Sequence, residues 1–172
     1  MDIGMLSPAY AVRALGKDDA QSVLRFYEGN PKYFAAMSSA PSLKSVCEDM
    51  DALPPGKTEK DKHYLGFFGG ETLVAVMDLI EGFPNPETAF IGLFMVNRDY
   101  QGRGVGSAII CDALHALCKM GFSYVRLGYV ETNAQSKAFW YKNGFLPTGV
   151  KSAQEKYAVV MMQKELYGGM PI

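Results

Sequence analysis

The chain has 172 residues, which is the length of about one domain and enough to bury a hydrophobic core. Hydrophobic residues make up 48% and charged residues 20% of it, an ordinary balance for a soluble globular protein. The formal net charge of −1 gives no electrostatic reason to expect nucleic acid or an acidic membrane surface as a partner.

The same properties set expectations for compartment and metal binding. No apolar run approaches the roughly 20 residues needed to cross a bilayer, and the N-terminus carries Asp2 where a signal peptide would carry positive charge. We therefore expect a cytoplasmic protein that does not bind membranes. Two histidines and three scattered cysteines lack metal-ligand spacing, so no metal site is expected. The cysteines are expected to be buried, reduced thiols, although Cys111 and His115 lie four residues apart on one predicted helix, so a chance nucleophile–base pair stays open.

The first third of the chain predicts one strand followed by helices. Residues 9–15 are typical of a strand, and the acids Asp18 and Asp19 then precede apolar residues at helical spacing. Further helices are predicted over about 32–37 and 42–50. Residues 51–62, rich in charge and containing Pro54-Pro55-Gly56, are predicted to form an exposed loop.

The remainder of the chain changes to strands and then to one strand–helix–strand unit. Segments 64–68 and 72–80 flank Gly69-Gly70-Glu71 as a hairpin, and 89–96 adds a third antiparallel strand. A clear amphipathic helix follows, with Gly121 as its stop. A strand over 124–130, a short helix over 133–143 and a last strand over 157–162 complete the order. This order predicts an α+β fold with an antiparallel majority and one crossover.

The segment between the strand at 89–96 and the amphipathic helix is rich in glycine: Gln101-Gly-Arg-Gly-Val-Gly-Ser107. Unpaired N–H groups and the positive dipole end at a helix N-terminus bind phosphates. Glycines let an anion approach the backbone, and Arg103 would add a charged contact unless solvent takes it. The segment therefore predicts an anion-binding turn.

Three other interpretations compete for this turn. A Walker A loop needs Gly-Lys-Ser/Thr, which is absent, and a dinucleotide fingerprint needs its third glycine at Ser107. The setting also differs, because the turn follows an antiparallel meander rather than the first strand of a doubly wound sheet. A tight helix entry that binds no ligand stays open on the glycines alone.

Gln101-x-x-Gly104-x-Gly106 follows an apolar strand, and Asn133 is followed by Ala138-Phe-Trp-Tyr-Lys-Asn-Gly-Phe145. In this order the two motifs resemble the two hallmarks of the GNAT superfamily of N-acetyltransferases. The resemblance covers roughly residues 9–166. It implies a GNAT fold, a central and mostly antiparallel twisted sheet flanked by helices, in a single domain spanning 1–172.

The resemblance further implies acetyl-CoA as cosubstrate. In the family, the strand before the loop splays from the next strand and its backbone holds the pantetheine arm, here at Met95 and Val96, with the Val96 N–H as oxyanion donor. The pyrophosphate would be held by the loop: Gln101, Gly102, Arg103, Gly104, Val105, Gly106 and Ser107. Asn133 would bind the arm or simply cap its helix. Phe139 and Lys142 would contact the arm and a phosphate, unless they belong to the core and the solvated surface.

The sequence departs from the family at the residues that move protons. The family places a tyrosine, the usual acid, four residues before the glycine of Gly-Phe, and Trp140 stands there. An indole is no useful acid, so the candidate acid is the adjacent Tyr141, although one residue along a helix turns that side chain by about 100°. No ionisable residue lies in 89–96, where some relatives carry a glutamate base. The candidate bases are therefore Glu81, Asp78 and Glu28, with water as the alternative.

These inferences predict an N-acetyltransferase in which a primary amine attacks acetyl-CoA directly within a ternary complex. The aromatic segment 26–34, if not core, suits a small-molecule amine through packing and cation–π attraction. A homodimer is expected because dimers are common in the family. The alternatives are a non-catalytic acyl-CoA-binding sensor or regulatory module and, more distantly, a dinucleotide-dependent oxidoreductase.

Overall fold

Five α-helices and seven strands make up most of residues 1–167, which are the residues that the computed structural model describes. The helices are α1 Ala20–Glu28, α2 Pro31–Ala36, α3 Leu43–Asp51, α4 Val105–Lys119 and α5 Ala134–Lys142. The strands are β1 Ala11–Ala14, β2 Lys62–Gly69, β3 Thr72–Glu81, β4 Thr88–Val96, β5 Tyr124–Val130, β6 Leu146–Ala153 and β7 Ala158–Glu165.

The seven strands form one sheet in the order β1-β2-β3-β4-β5-β7-β6. Every neighbouring pair is antiparallel except β4 and β5, which are parallel and joined through α4. A parallel pair needs such a crossover, since a tight turn joins only antiparallel neighbours. The predicted α+β fold with one strand–helix–strand unit is therefore confirmed.

The β4–β5 pair opens partway along its length. The two strands are paired only from Thr88 to Ile91 on β4 and from Tyr124 to Leu127 on β5. Beyond Ile91, β4 stays paired with β3 alone, and the register shifts at Asp78/Leu79 so that Gly92 is the extra residue of a β-bulge. The sheet therefore has a V-shaped opening between the C-terminal halves of β4 and β5.

Each face of the sheet is covered by its own hydrophobic core. On one face α4 contributes Ile109, Ile110 and Leu117, and the residues around α5 contribute Trp140 and Phe145. On the other face α1, α2 and α3 bury Val23, Tyr27, Phe34 and Val46 against β2, β3 and β4. The opening between β4 and β5 therefore has helices packed on both faces of the sheet around it.

Two expectations from the sequence were wrong. Strand β6 was not predicted, because Leu146–Ala153 contains Pro147 and Gly149 and is exposed along the sheet edge, so it lacks apolar alternation. Cys111 is exposed rather than buried, and Cys47 and Cys118 are only partly buried.

No helix within residues 1–167 is long and apolar enough to cross a membrane.

Candidate active site

A cavity of about 520 Å³ lies at the C-terminal end of β4, between the start of α4, helix α5 and the corner that joins α1 to α2. Ten of the twelve predicted cofactor-binding residues line it: Met95, Val96, Gln101, Gly102, Gly104, Gly106, Ser107, Asn133, Phe139 and Lys142. The other two do not. Arg103 is exposed, and Val105 packs against the core on the α4 side.

The glycines of the loop meet two different requirements. Gly102 and Gly104 have φ of 72° and 80°, in the left-handed region that strains other residues. Gly106 instead allows a close approach, because a Cβ there would lie 3.1 Å from Val96 Cγ2 and 3.2 Å from Phe139 Cε2. The loop thereby brings the first turn of α4 against the end of β4, with backbone N–H groups at the cavity wall.

The Gln101 side chain ties three parts of the site together. Its Nε2 donates hydrogen bonds to Asn30 Oδ1 at 2.6 Å and to the Val96 carbonyl oxygen at 2.8 Å. Asn30 is buried, and its Nδ2 donates to the Phe26 carbonyl oxygen at 3.0 Å. The sequence predicted only a backbone role for Gln101 and gave no indication of Asn30. The contact spans 71 positions of chain, so no local pattern could reveal it.

The backbone of β4 faces the opening at Val96. The Asn97 N–H donates to the Val74 carbonyl oxygen of β3 at 2.8 Å. Because the N–H and C=O groups of successive strand residues point in opposite directions, those of Val96 point away from β3. This orientation is the one that the predicted oxyanion donor requires.

A second, smaller cavity of about 210 Å³ occupies the opening between β4 and β5. Its walls include the aromatic side chains of Tyr33, Phe90, Tyr129 and Tyr157. Of the aromatic residues in the segment 26–34, only Tyr33 lines the cavities, whereas Phe26, Tyr27 and Phe34 are core residues. Both cavities share five lining residues: Tyr33, Phe94, Asn133, Ser136 and Trp140. The two cavities therefore adjoin.

Positive charge surrounds the larger cavity. Lys32, Arg98 and Lys142 line it, and the part of the chain that the structure describes contributes no Asp or Glu to its lining. An oligoanion is therefore favoured electrostatically in this cleft.

Helix α5 places its aromatic residues differently from one another. Asn133 caps the helix, since its Oδ1 accepts the Ser136 N–H at 3.0 Å, and it also lines both cavities. Trp140 is buried and contacts Phe94, Phe139 and Phe145. Tyr141, the predicted acid, is 42% exposed and lines neither cavity. The turn of about 100° per helical residue carries it to the outer face, so the structure does not bring it to the site.

The predicted base Glu81 also lies away from the site. Glu81 pairs with Ala89, whereas Val96 lies seven residues further along β4, a distance of about 23 Å. Its Oε1 lies 2.6 Å from His63 Nε2 and 3.1 Å from the Met1 amine. Burial opposes ionisation of Glu81, but these contacts outweigh it and lower the pKa of the carboxyl. Because β3 runs away from the cleft toward Glu81, the structure does not bring this carboxylate to either cavity.

The other candidate bases, Asp78 and Glu28, do not line either cavity. Asp78 is buried in an ion pair with Lys62, and Glu28 is exposed at the end of α1. Of the residues in 1–167, none of those lining either cavity is Asp, Glu or His. Nor does that range hold a group of three or more His, Cys, Asp or Glu side chains able to bind a metal ion.

Comparisons with known proteins identify the family and the fold. The family model described as the acetyltransferase (GNAT) family matches residues 23–145. A comparison with curated proteins finds no significant match.

Solved structures share the fold over most of the chain. An acetyltransferase from Thermus thermophilus is 23% identical with a TM-score of 0.71, covering 92% of this chain and 97% of that one. An acetyltransferase from Salmonella typhimurium that modifies the N-terminal serine of ribosomal protein L7/L12 is 17% identical with a TM-score of 0.72, covering 94% and 98%. A Bacillus subtilis acetyltransferase in complex with CoA is 17% identical with a TM-score of 0.53, covering 63% and 79%. At these identities the likeness concerns the fold alone.

Proposed function

The chain belongs to the GNAT family of acetyltransferases, and we propose that it transfers the acetyl group of acetyl-CoA directly to the primary amine of a small molecule. The observation that carries this proposal is the V-shaped opening between β4 and β5, with the glycine-rich loop at its mouth. A cationic cleft and a smaller aromatic cavity meet there, which provides adjoining places for the two substrates.

The larger cavity suits acetyl-CoA in shape and charge. Its phosphates would lie against the backbone N–H groups of residues 101–107, with Lys142 supplying a countercharge. The pantetheine arm would follow the free edge of β4 at Met95 and Val96 and pass Asn133 and Phe139. Cations on the rim and the absence of lining acids within residues 1–167 support this placement.

Direct transfer is favoured over a covalent enzyme intermediate. Cys111 Sγ lies 3.7 Å from His115 Nδ1, but neither residue lines either cavity, so this pair is not placed to attack a thioester bound there. The amine would attack the acetyl carbon while the Val96 N–H stabilises the developing oxyanion. Since no lining residue in 1–167 is Asp, Glu or His, the amine proton would leave to water.

The smaller cavity supports a small acceptor. Its volume of about 210 Å³ exceeds the roughly 150 Å³ cavity that accommodates a benzene ring. Its aromatic walls favour an amine with an apolar body or a cationic group. A peptide N-terminus is the acceptor class against which this proposal must be tested.

Two measurements test the proposal in sequence. Calorimetry with acetyl-CoA and with CoA should show binding, and no binding at millimolar ligand would overturn the proposal. Release of free CoA thiol should then be followed over a panel of amines, polyamines, amino acids, aminoglycosides and short peptides. Thiol release with small amines supports the proposal, release with peptides alone replaces the acceptor class, and binding without release indicates the non-catalytic acyl-CoA module.

Three further properties stay predictions: a single domain spanning 1–172 with its core over about 9–166, a cytoplasmic location, and a homodimer. The family match and the fold are consistent with the first. The structure contains one chain, so the dimer requires a measurement of mass in solution.

A further inference from the structure

One phenol lies where the two cavities meet. Of the five residues that line both cavities, Tyr33 alone carries a phenolic hydroxyl. Any amine in the smaller cavity and any thioester in the larger one must react across this junction. A group that acts on the leaving sulfur would therefore lie at this junction.

Neighbouring elements fix the position of Tyr33. It lies in the first turn of α2, directly after Pro31 and Lys32, and its ring packs edge-on against Phe34 with centroids 5.2 Å apart. The corner before α2 is held by the hydrogen bond from Gln101 to Asn30. The same glutamine donates a hydrogen bond to the Val96 carbonyl oxygen. Its side chain therefore links the corner that carries Tyr33 to the end of β4.

The Tyr33 hydroxyl is free to serve a ligand. It makes no hydrogen bond to another residue within 1–167, whereas the hydroxyls of Tyr27 and Tyr64 lie 2.5 Å apart and bond to each other. Burial raises the pKa of Tyr33, and the nearby carboxylates of Asp49 and Asp78 raise it further. The side chain therefore stays a protonated phenol, and a hydrogen-bond donor, throughout the neutral range.

We propose that Tyr33 donates a hydrogen bond to the sulfur of CoA as it leaves, a task that the family assigns to a tyrosine at the position of Trp140. The inference rests on the proposed function above. As the amine nitrogen bonds to the acetyl carbon, the carbon–sulfur bond breaks and its electron pair stays on sulfur. The phenol shares its proton with that thiolate but keeps it, because a thiol near pKa 8.5 is the stronger acid. The proton of the amine passes to water.

A titration of bound CoA tests this without an acceptor. The ultraviolet absorbance of the thiolate is followed against pH for free CoA, for CoA on the wild-type protein and for CoA on Tyr33→Phe. A hydrogen bond from Tyr33 stabilises the thiolate, so the thiol should titrate about one pH unit lower on the wild type than on Tyr33→Phe. Equal titration on the two proteins would overturn the proposal.

Steady-state kinetics with an amine found by thiol release give the second readout. Tyr33→Phe should lower kcat by about 10- to 100-fold, the effect of removing a hydrogen bond to a charged group, and leave KM for acetyl-CoA and amine nearly unchanged. Tyr167→Phe, exposed and outside both cavities, is the matched control and should behave as wild type. A raised amine KM at unchanged kcat would make Tyr33 an acceptor-binding residue, and a loss confined to Tyr141→Phe would restore the acid predicted from the sequence.

These outcomes separate the inference from the proposed function. If CoA does not bind, the proposed function is wrong, and Tyr33 has no leaving sulfur to which it could donate a hydrogen bond. If CoA binds and thiol is released but Tyr33→Phe is neutral in both readouts, only the inference fails. Unfolding curves should be unchanged in Tyr33→Phe, because phenylalanine keeps the ring and its contact with Phe34.

Discussion

A buried ion pair lies beneath the point where β4 leaves β5. Lys62 Nζ donates to Asp78 Oδ2 at 2.8 Å and to the Ala52 carbonyl oxygen at 2.8 Å. Only 6% of the Lys62 side chain and 10% of the Asp78 side chain are exposed. A Cβ on Gly92 would lie 2.5 Å from Asp78 Oδ2, so the carboxylate covers the bulge residue itself. The pair therefore stabilises the bulge from which the V-shaped opening begins.

Lys62→Met tests the pair at the residue scale. Removing one partner leaves an uncompensated buried charge, so we expect the free energy of unfolding to fall by about 3–5 kcal/mol at neutral pH. Burial already raises the pKa of Asp78 despite the hydrogen bond from Lys62, and loss of Lys62 should raise it further. A carboxyl with a raised folded-state pKa contributes stability below its unfolded pKa, near 3.9, and loses it as pH rises through the folded value. Denaturant unfolding at several pH values should show the variant recovering stability as pH falls.

The double variant Lys62→Met/Asp78→Asn is the control for this prediction. It removes both charges, so it should be more stable than Lys62→Met at neutral pH and lose the added pH dependence. A single variant as stable as wild type, or one that gains stability as pH rises, would show that the pair does not hold the bulge.

Individual functional residues were only partly predictable from the sequence. Residues within one motif, such as Gly104 and Asn133, could be placed because their roles depend on neighbours a few positions away. Asn30 could not, since its position depends on a contact with a loop about 70 positions later. The role proposed for Tyr33 could not, since only the fold places this residue between the two cavities. The distance of Glu81 from the cavities could not be predicted either, because it depends on which end of β3 faces the cleft.

At the scale of elements, Gln101 connects the glycine-rich loop, the end of β4 and the α1–α2 corner. Both of its hydrogen bonds are donated by the amide Nε2. A carboxylate of the same shape cannot donate them, and it adds a negative charge beside the expected phosphates. Gln101→Glu should therefore weaken CoA binding by at least about tenfold, the loss of about one hydrogen bond, as measured by calorimetry.

Gln135→Glu separates the two causes of that loss. Gln135 is exposed and also lines the larger cavity, so the substitution adds the same charge without breaking the two hydrogen bonds of Gln101. Its effect on the Kd for CoA should be clearly smaller than that of Gln101→Glu. Equal losses of CoA affinity in the two variants would attribute the effect to charge alone and would show that the hydrogen bonds of Gln101 do not contribute to CoA binding.

Elements with strong periodicity were predicted well, and the exception has a physical cause. Helix α4 and strand β5 bury one face and therefore carry a pattern, and the strand predicted over 124–130 matches Tyr124–Val130. Strand β6 is exposed along nearly its whole length, so burial imposed no alternation on it. Its pairing with β7 and the break around Gly149 depend on the partner strand rather than on its own residues.

At the scale of the whole molecule, charge is distributed unevenly. The formal net charge is −1, yet Lys32, Arg98 and Lys142 converge on the larger cavity from α2, the segment after β4 and α5. These three residues are far apart along the chain, so composition could not reveal their convergence. The net charge predicts that no strong field surrounds the molecule, and it gives no sign of the local field at the cleft.

This convergence predicts that CoA binding depends on ionic strength. The three cations are exposed at an open rim, and salt screens the interactions of such charges over distances beyond a Debye length of about 10 Å at 0.1 M. The Kd for CoA, measured by calorimetry, should therefore rise by about tenfold between low and high sodium chloride concentrations. A change of this size is within the binding free energy that three exposed charges contribute. Dephospho-CoA carries less charge and should show a shallower dependence, as should the Arg98→Ala and Lys142→Ala variants with CoA. Lys44→Ala, whose side chain is exposed on α3 and lines neither cavity, should follow the wild type. A Kd independent of salt would mean that backbone N–H groups hold the phosphates without help from these cations.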